Sequence, residues 1–169
     1  MKVDQPFAQK RATSPPIQAE EASAEPLVFI VDDDSSVREG LSELILSARL
    51  RPACYASIPE LLDADVLGQA GCLILDVRMP GGSGLDLQQN LAQSGNLKPI
   101  IFLTGHGDIP MTVQAMKAGA VDFLTKPARD QTLLDAVLAG IETDSARRAE
   151  AVVVKRNLER LGRLTRRER

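Results

Sequence analysis

The chain has 169 residues, 44% of them hydrophobic and only 3% aromatic, a composition that suits one globular domain with an aliphatic core and flanking segments. No apolar run approaches the roughly 18 residues of a membrane span, and the first residues lack the apolar region of a signal peptide, so we expect a soluble, cytoplasmic protein without membrane contact. The net charge of -3 conceals an asymmetry, because residues 147–169 carry nine Lys/Arg and three Asp/Glu whereas the rest carries eleven Lys/Arg and twenty Asp/Glu.

Residues 1–26 are polar, contain several prolines and show no apolar periodicity. Such a segment cannot bury enough apolar surface to offset the entropy lost on ordering. We predict a disordered tail over 1–26, with a docking or regulatory role as the less favoured alternative.

From Leu27 onward, short apolar runs alternate with segments of helical periodicity. Runs that are apolar throughout are typical of strands buried on both faces of a parallel sheet. The predicted strands are Leu27–Val31, Pro52–Tyr55, Cys72–Leu75, Pro99–Leu103 and Val121–Leu124. The predicted helices run from Asp34 to about Ala48, from Ser57 onward, and over Leu85–Ala92, Asp108–Gly119 and Asp130–Ile141. Five such units predict an α/β fold with a doubly wound, five-stranded parallel sheet.

The two cysteines, Cys54 and Cys72, are far apart in the sequence and have no metal-ligand spacing. Cysteines near apolar runs are commonly small buried hydrophobes, and free thiols are typical of a reducing cytosol. We predict that both side chains are buried.

Polar side chains follow the predicted strands at their carboxyl ends. Asp32, Asp33 and Asp34 follow the first strand. Asp76 follows the third strand, Thr104 the fourth and Lys126 the fifth. In open parallel sheets, functional groups gather at this edge. Clustered carboxylates repel one another unless a cation neutralises them, and Mg²⁺ prefers such oxygen ligands and phosphate co-ligands. A hydroxyl and an ammonium group suit the phosphoryl oxygens, so the set predicts an aspartyl-phosphate site.

Several motifs, in this order, resemble the response regulator receiver domain of bacterial two-component systems. They are VDDD at Val31–Asp34, LDVRMP at Leu75–Pro80, Gly84, LTGHGD at Leu103–Asp108 and AMKAGAVDFLTKP at Ala115–Pro127. The resemblance covers about Pro26 to Ile141 and implies a flavodoxin-like (CheY-like) fold. It also implies a phosphoryl-accepting switch rather than an enzyme, with a cognate sensor histidine kinase as the donor of the phosphoryl group.

The resemblance also implies a role for individual residues. Asp76 corresponds to the phosphoacceptor, and Lys126 and Thr104 correspond to the pair that contacts the phosphoryl group. Asp33 and Asp76 would bind Mg²⁺ directly, with Asp32 acting through water and the backbone carbonyl of Arg78 completing the set. Phe123 corresponds to the aromatic switch residue, and the Lys126–Pro127 bond is expected to be cis.

Other residues near these motifs have simpler interpretations. Asp34 is predicted to begin a helix rather than to bind metal. Gly81, Gly82 and Gly84 follow a proline and lack a following Lys-Ser/Thr, so we interpret them as turn glycines rather than a phosphate cradle. His106 has no partner ligands in the sequence and is predicted to lie at the rim of the site.

The basic C-terminal part has a helical pattern in which Ala151, Val154, Leu158, Leu161 and Thr165 keep roughly heptad spacing. We predict a receiver domain over 27–142 and a linker helix over 143–163 that continues the last receiver helix. The final residues, LTRRER at 164–169, resemble the opening of a LuxR-type helix-turn-helix domain. Together with GHGDIPM at Gly105–Met111, they resemble FixJ-like transcriptional regulators. DNA binding is therefore expected only of a following domain that this chain lacks.

In the favoured function, phosphorylation is expected to drive homodimerisation through the fourth predicted helix and the fifth predicted strand.

Two alternative functions remain open at this point. A stand-alone receiver that acts as a phosphate sink would have no DNA output. A phosphatase of the haloacid-dehalogenase type would also use a nucleophilic Asp, but that class needs a second Asp two residues later, where this chain has Arg78.

Overall fold

A computed structural model describes residues 25–167, with side chains described as far as residue 164. The strands are β1 (Leu27–Val31), β2 (Arg51–Tyr55), β3 (Gly71–Leu75), β4 (Arg78–Met79), β5 (Gly82–Ser83), β6 (Ile100–Thr104) and β7 (Asp122–Thr125). The helices are α1 (Ser35–Ser47), α2 (Ile58–Asp63), α3 (Gly84–Gln93), α4 (Ile109–Lys117) and α5 (Asp130–Arg167). Within these residues, no helix is apolar enough along its length to cross a membrane.

Five strands form one parallel sheet in the order β2-β1-β3-β6-β7, as the alternating pattern predicts. The central strands β1, β3 and β6 bury almost every side chain because helices cover both faces. Helices α1 and α5 cover one face, through residues such as Leu41, Ile45 and Val137. Helices α2, α3 and α4 cover the other face, through residues such as Leu61, Leu91 and Ala115. The doubly wound fold is therefore confirmed.

Side-chain caps begin four of the helices. The carboxylate or hydroxyl of each cap accepts a hydrogen bond from a backbone N–H in the first turn, which would otherwise be unsatisfied. The cap residues are Asp34, Ser57, Ser83 and Asp108. The prediction that Asp34 begins a helix is confirmed, since its side chain accepts from Ser36 N at 2.9 Å.

The structure differs from the predictions in two places. The segment around Pro80, where we expected only turn glycines, forms a small antiparallel pair of β4 with β5 that leads directly into α3. The prediction of two buried cysteines is wrong for Cys54, which is exposed on the edge strand β2, whereas Cys72 on β3 is buried. An edge strand has a neighbour on one side only. α1 covers Cys54 in part, and the Cys54 thiol donates to Arg38 O at 4.0 Å. This partial cover raises the pKa of Cys54.

Helix α5 continues without a break from the receiver body through the predicted linker, so that one helix of 38 residues spans both. The predicted disordered tail lies outside the described residues except for Glu25 and Pro26. Leu164–Arg167 of the LTRRER motif belong to the last turn of α5, and the two final residues lie outside the described residues. The assignment of the motif to a helix-turn-helix domain stays a prediction.

Candidate functional site

The register of the sheet brings the acidic residues of β1 and β3 to the same level. Val31 at the end of β1 pairs with Leu75 at the end of β3, so Asp32 and Asp76 follow at neighbouring positions. Asp76 N also donates to Val31 O at 3.2 Å, which holds the two strand ends together. Both side chains are buried, with 2% of Asp32 and 7% of Asp76 exposed. Two carboxylates at such depth require a nearby cation.

Lys126 supplies that positive charge from the end of β7. Its Nζ donates to Asp32 Oδ2 at 2.5 Å and to Asp76 Oδ2 at 2.9 Å. Its backbone N donates to Thr104 O at 2.9 Å, and the Lys126–Pro127 bond is cis, as expected. Burial by itself would lower the pKa of Lys126, but the hydrogen bonds and charges of the two carboxylates outweigh it and raise the pKa. The ammonium group therefore stays charged at neutral pH.

Three carboxylates at this edge form a group that suits a hard divalent cation. Asp32, Asp33 and Asp76 each offer an oxygen atom, and these atoms lie within 4.8 Å of one another. Asp33 is exposed, unlike the other two, so the group opens to solvent on one side. Arg78 N donates to Asp76 Oδ1 at 3.2 Å, which places the Arg78 backbone beside the group while its side chain points to solvent. All-oxygen ligands with an open side fit Mg²⁺ and leave room for a phosphoryl group.

Thr104 and Phe123 lie on the two strands beyond β3. Thr104 ends β6, is fully buried, and its Oγ1 accepts from His106 N at 3.3 Å. Phe123 on β7 is half-buried and packs against Phe102, with ring centroids 5.8 Å apart. The exposed side chain of His106 agrees with its predicted position at the rim.

Two glycines beside the site have roles that the motif analysis missed. A Cβ at Gly84 would lie 2.5 Å from the backbone O of Asp76, so only glycine permits this approach of α3 to the end of β3. A Cβ at Gly107 would lie 2.8 Å from the Phe123 ring and 3.4 Å from Thr104 Cγ2. The only hint in the sequence is that both glycines belong to motifs of the receiver resemblance. The contacts themselves depend on tertiary structure.

Comparisons with known proteins agree with this arrangement. The family described as the response regulator receiver domain matches residues 28–138. Nodulation protein W of Bradyrhizobium diazoefficiens is 55% identical over 128 residues, which cover 76% of this chain and 56% of that protein. Response regulator protein TodT of Pseudomonas putida is 46% identical over 142 residues, covering 84% of this chain and 63% of that protein. The chain thus spans less than two thirds of the length of these relatives.

Solved structures give the same result. The structure of response regulator StyR has a TM-score of 0.74 and 48% identity to this chain, covering 82% of this chain and 69% of that one. The fold, the sheet-edge carboxylates and these relatives together establish that the chain belongs to the response regulator receiver domain family.

Proposed function

We propose that this chain is the phosphoryl-accepting switch of a two-component system and that Asp76 is the acceptor. The observation that carries the proposal is the setting of the Asp76 carboxylate, which is buried, bound by Lys126 and grouped with two other aspartates. A carboxylate held in this way is oriented for attack, while the neighbouring cation favours the approach of an anionic phosphoryl group.

Mg²⁺ is the proposed cofactor. Asp33 and Asp76 would bind it directly, Asp32 through water, and the backbone carbonyl of Arg78 would complete the protein ligands. Bound there, the ion would neutralise charge that develops on the phosphoryl oxygens. The mutual distance of the three carboxylates supports this assignment, because repulsion at such range is relieved by a divalent cation.

In the proposed reaction, a carboxylate oxygen of Asp76 attacks the phosphorus of a phosphohistidine on a sensor kinase. The new P–O bond forms as the P–N bond breaks, and the imidazole leaves with its electron pair and takes up a proton. Lys126 Nζ already lies 2.9 Å from Asp76 Oδ2 and would contact a phosphoryl oxygen after transfer. Thr104 would then move toward the phosphoryl group and donate its hydroxyl hydrogen to another of the phosphoryl oxygens.

That movement is the proposed signal. Phe123 would turn inward as Thr104 moves, and the surface formed by α4 and β7 would become competent to pair with a second copy. This is a population shift between two packings. A DNA-binding domain following this chain would convert pairing into transcription regulation. We propose a cytoplasmic location, where kinases with access to ATP supply the phosphoryl group.

A phosphotransfer experiment tests the proposal. Incubation with acetyl phosphate and Mg²⁺ should add one phosphoryl group to the wild-type chain, as measured by intact mass, and none to Asp76→Asn. Asp86→Asn is the matched control, because Asp86 is an exposed aspartate of α3 away from the group. Undiminished phosphorylation of Asp76→Asn, or its loss in Asp86→Asn alone, would show that the acceptor is assigned wrongly. Chelation of Mg²⁺ should abolish the reaction in both active proteins.

A further inference from the structure

One stripe of α5 has two environments along its length. Leu133, Val137, Gly140 and Asp144 follow one another at spacings of four and three residues, and all are buried against the receiver body. The same heptad register continues through Ala151, Val154, Leu158 and Leu161, where the side chains are exposed. Residues at heptad spacing lie on the same side of a helix. The side of α5 that packs on the sheet therefore continues into the part of the helix that extends past the sheet.

Contacts at the base of the sheet fix the direction in which α5 leaves the body. Asp144 Oδ2 accepts from Gly71 N at 2.9 Å and from Arg148 Nε at 2.8 Å. Arg148 and Arg147 also donate to backbone carbonyls of the loops that precede β3 and β6, at Gly68 O and Leu97 O. Since these bonds reach two separate loops, they restrict pivoting of the helix, and residues 149–164 extend from a defined base.

The extension exposes more apolar surface than a solvated helix needs. Val154 and Leu158 of the stripe are 52% and 64% exposed, and the neighbouring Val152 and Val153, which lie outside it, are 49% and 56% exposed. Valine also has a lower helix propensity than alanine or leucine, so three valines in succession give the isolated helix little support. An apolar stripe on a helix of this kind gains stability by packing against a partner.

We propose that the stripe formed by Ala151, Val154, Leu158 and Leu161 is the seam of a parallel, in-register coiled coil with the same helix of a second copy. This register places Val154 and Leu161 at d positions and Ala151 and Leu158 at a positions. It places Glu150 at g and Lys155 at the following e position, where they face each other across a parallel seam and form two symmetric opposite-charge pairs. An antiparallel pair would instead bring Lys155 close to Arg148 or Lys155 of the second copy, so that like charges face each other. The charges therefore favour the parallel arrangement.

The seam is short, since Ala151 to Leu161 spans about 15 Å at about 1.5 Å per residue. Two heptads do not hold two free helices together at low concentration, so pairing needs another contact that brings the bases together. The receiver pairing of the proposed function supplies that contact, and this coupling rests on the proposed function. Phosphorylation would then align the ends of α5 of two copies and set the spacing of whatever domains follow them.

The three successive valines provide a test with built-in controls. In a Cys54→Ser background, which removes the exposed native thiol, single substitutions Val152→Cys, Val153→Cys, Val154→Cys and Leu158→Cys are oxidised and dimers are counted by non-reducing electrophoresis. The positions before Leu158 are similarly exposed but point about 100° apart around the helix. We expect crosslinking at 154 and 158 to be roughly tenfold faster than at 152 and 153, because only facing thiols gain the effective concentration of the pair. Beryllofluoride with Mg²⁺ should increase the rate at 154 and 158 at low protein concentration.

Several outcomes overturn the inference. Equal rates at the three valine positions mean that the extension is a single helix, and crosslinking at 154 but not at 158 means that the pair is not parallel and in register. Protection of a thiol at 154 from alkylation without crosslinking means that another segment covers the seam. Intact mass shows separately whether the proposed function fails. If Asp76 takes no phosphoryl group, the crosslinking rates at high protein concentration still show whether the seam forms. If Asp76 is phosphorylated and the pattern is flat, the seam alone is wrong.

Discussion

Replacement of Gly84 by alanine should uncouple the end of β3 from α3. Gly84 is the first residue of α3, and its N–H donates to Val77 O at 2.9 Å. An added Cβ would lie 2.5 Å from Asp76 O and 3.1 Å from the Leu75 side chain. Because the nearest atom belongs to the backbone, no side-chain rotation can relieve the contact.

The magnitude follows from the size of the required shift. Restoring an ordinary separation of 3.4 Å moves the two backbones apart by about 0.9 Å, the difference from 2.5 Å. Overpacking of this kind costs about 1–3 kcal/mol. The better helix propensity of alanine offsets at most about 1 kcal/mol, and less at the first helical position. We expect Gly84→Ala to lower the free energy of unfolding by about 1–2 kcal/mol.

Urea unfolding monitored by circular dichroism measures this change, with acetyl phosphate labelling as a second readout. Gly40→Ala is the matched control, since Gly40 is exposed within α1 and a Cβ there meets nothing within 4 Å. That control should gain up to about 1 kcal/mol. Phosphorylation of Asp76 should slow in Gly84→Ala under conditions where the protein remains folded, because the Asp76 backbone is displaced. If Gly84→Ala is as stable as Gly40→Ala, the close approach of α3 to Asp76 is not a real constraint.

Three further predictions concern buried polar groups. Asp144→Ala should lower the free energy of unfolding by about 1–3 kcal/mol, measured by urea denaturation, because it leaves Gly71 N without its acceptor. Ellman's reagent should titrate Cys54 rapidly in the native chain and Cys72 only after unfolding, since burial raises the pKa of Cys72 to about 12. Lys126→Met should cost up to about 3–5 kcal/mol without Mg²⁺, measured by thermal unfolding, because it leaves two buried carboxylates unpaired, and Mg²⁺ should restore part of the loss.

The pH dependence of the lysine effect has a defined sign. The pKa of Lys126 is raised in the folded chain, so its contribution to stability is fully present below the ordinary value of 10.5 and is lost as the pH rises through the folded value. The wild-type and Lys126→Met stabilities should therefore differ by a constant amount at neutral pH and converge only above pH 10.5. Convergence of the two stabilities near neutral pH would contradict the ion pairs of Lys126. Rapid labelling of Cys72 in the native chain would contradict its burial, and unchanged stability of Asp144→Ala would contradict the bond of Asp144 to Gly71.

The element pattern and most of the site were predictable from the sequence because they depend on local order. Apolar runs of about five residues predicted the strands of the parallel sheet, and the rule that such strands present their carboxyl ends together predicted that Asp32, Asp76 and Lys126 converge. Helix caps such as Asp34 were also readable, since a cap bonds to the backbone two or three residues away. The edge strand β2 was the exception. Its Pro52 is typical of an edge strand, but that signal was not applied to Cys54, which was therefore misjudged.

The sequence by itself determined which residues stand at the carboxyl edge of the sheet, and the tertiary structure decided which of them are buried and how they pair. Asp32 and Asp33 are adjacent and chemically identical, yet one is buried against Lys126 and the other faces solvent. The contact of Gly84 with Asp76 and the bond of Asp144 to Gly71 also join segments separated in the chain. Local pattern specifies strand ends and helix faces, but burial and pairing depend on which distant segments pack together, and only the folded chain fixes that.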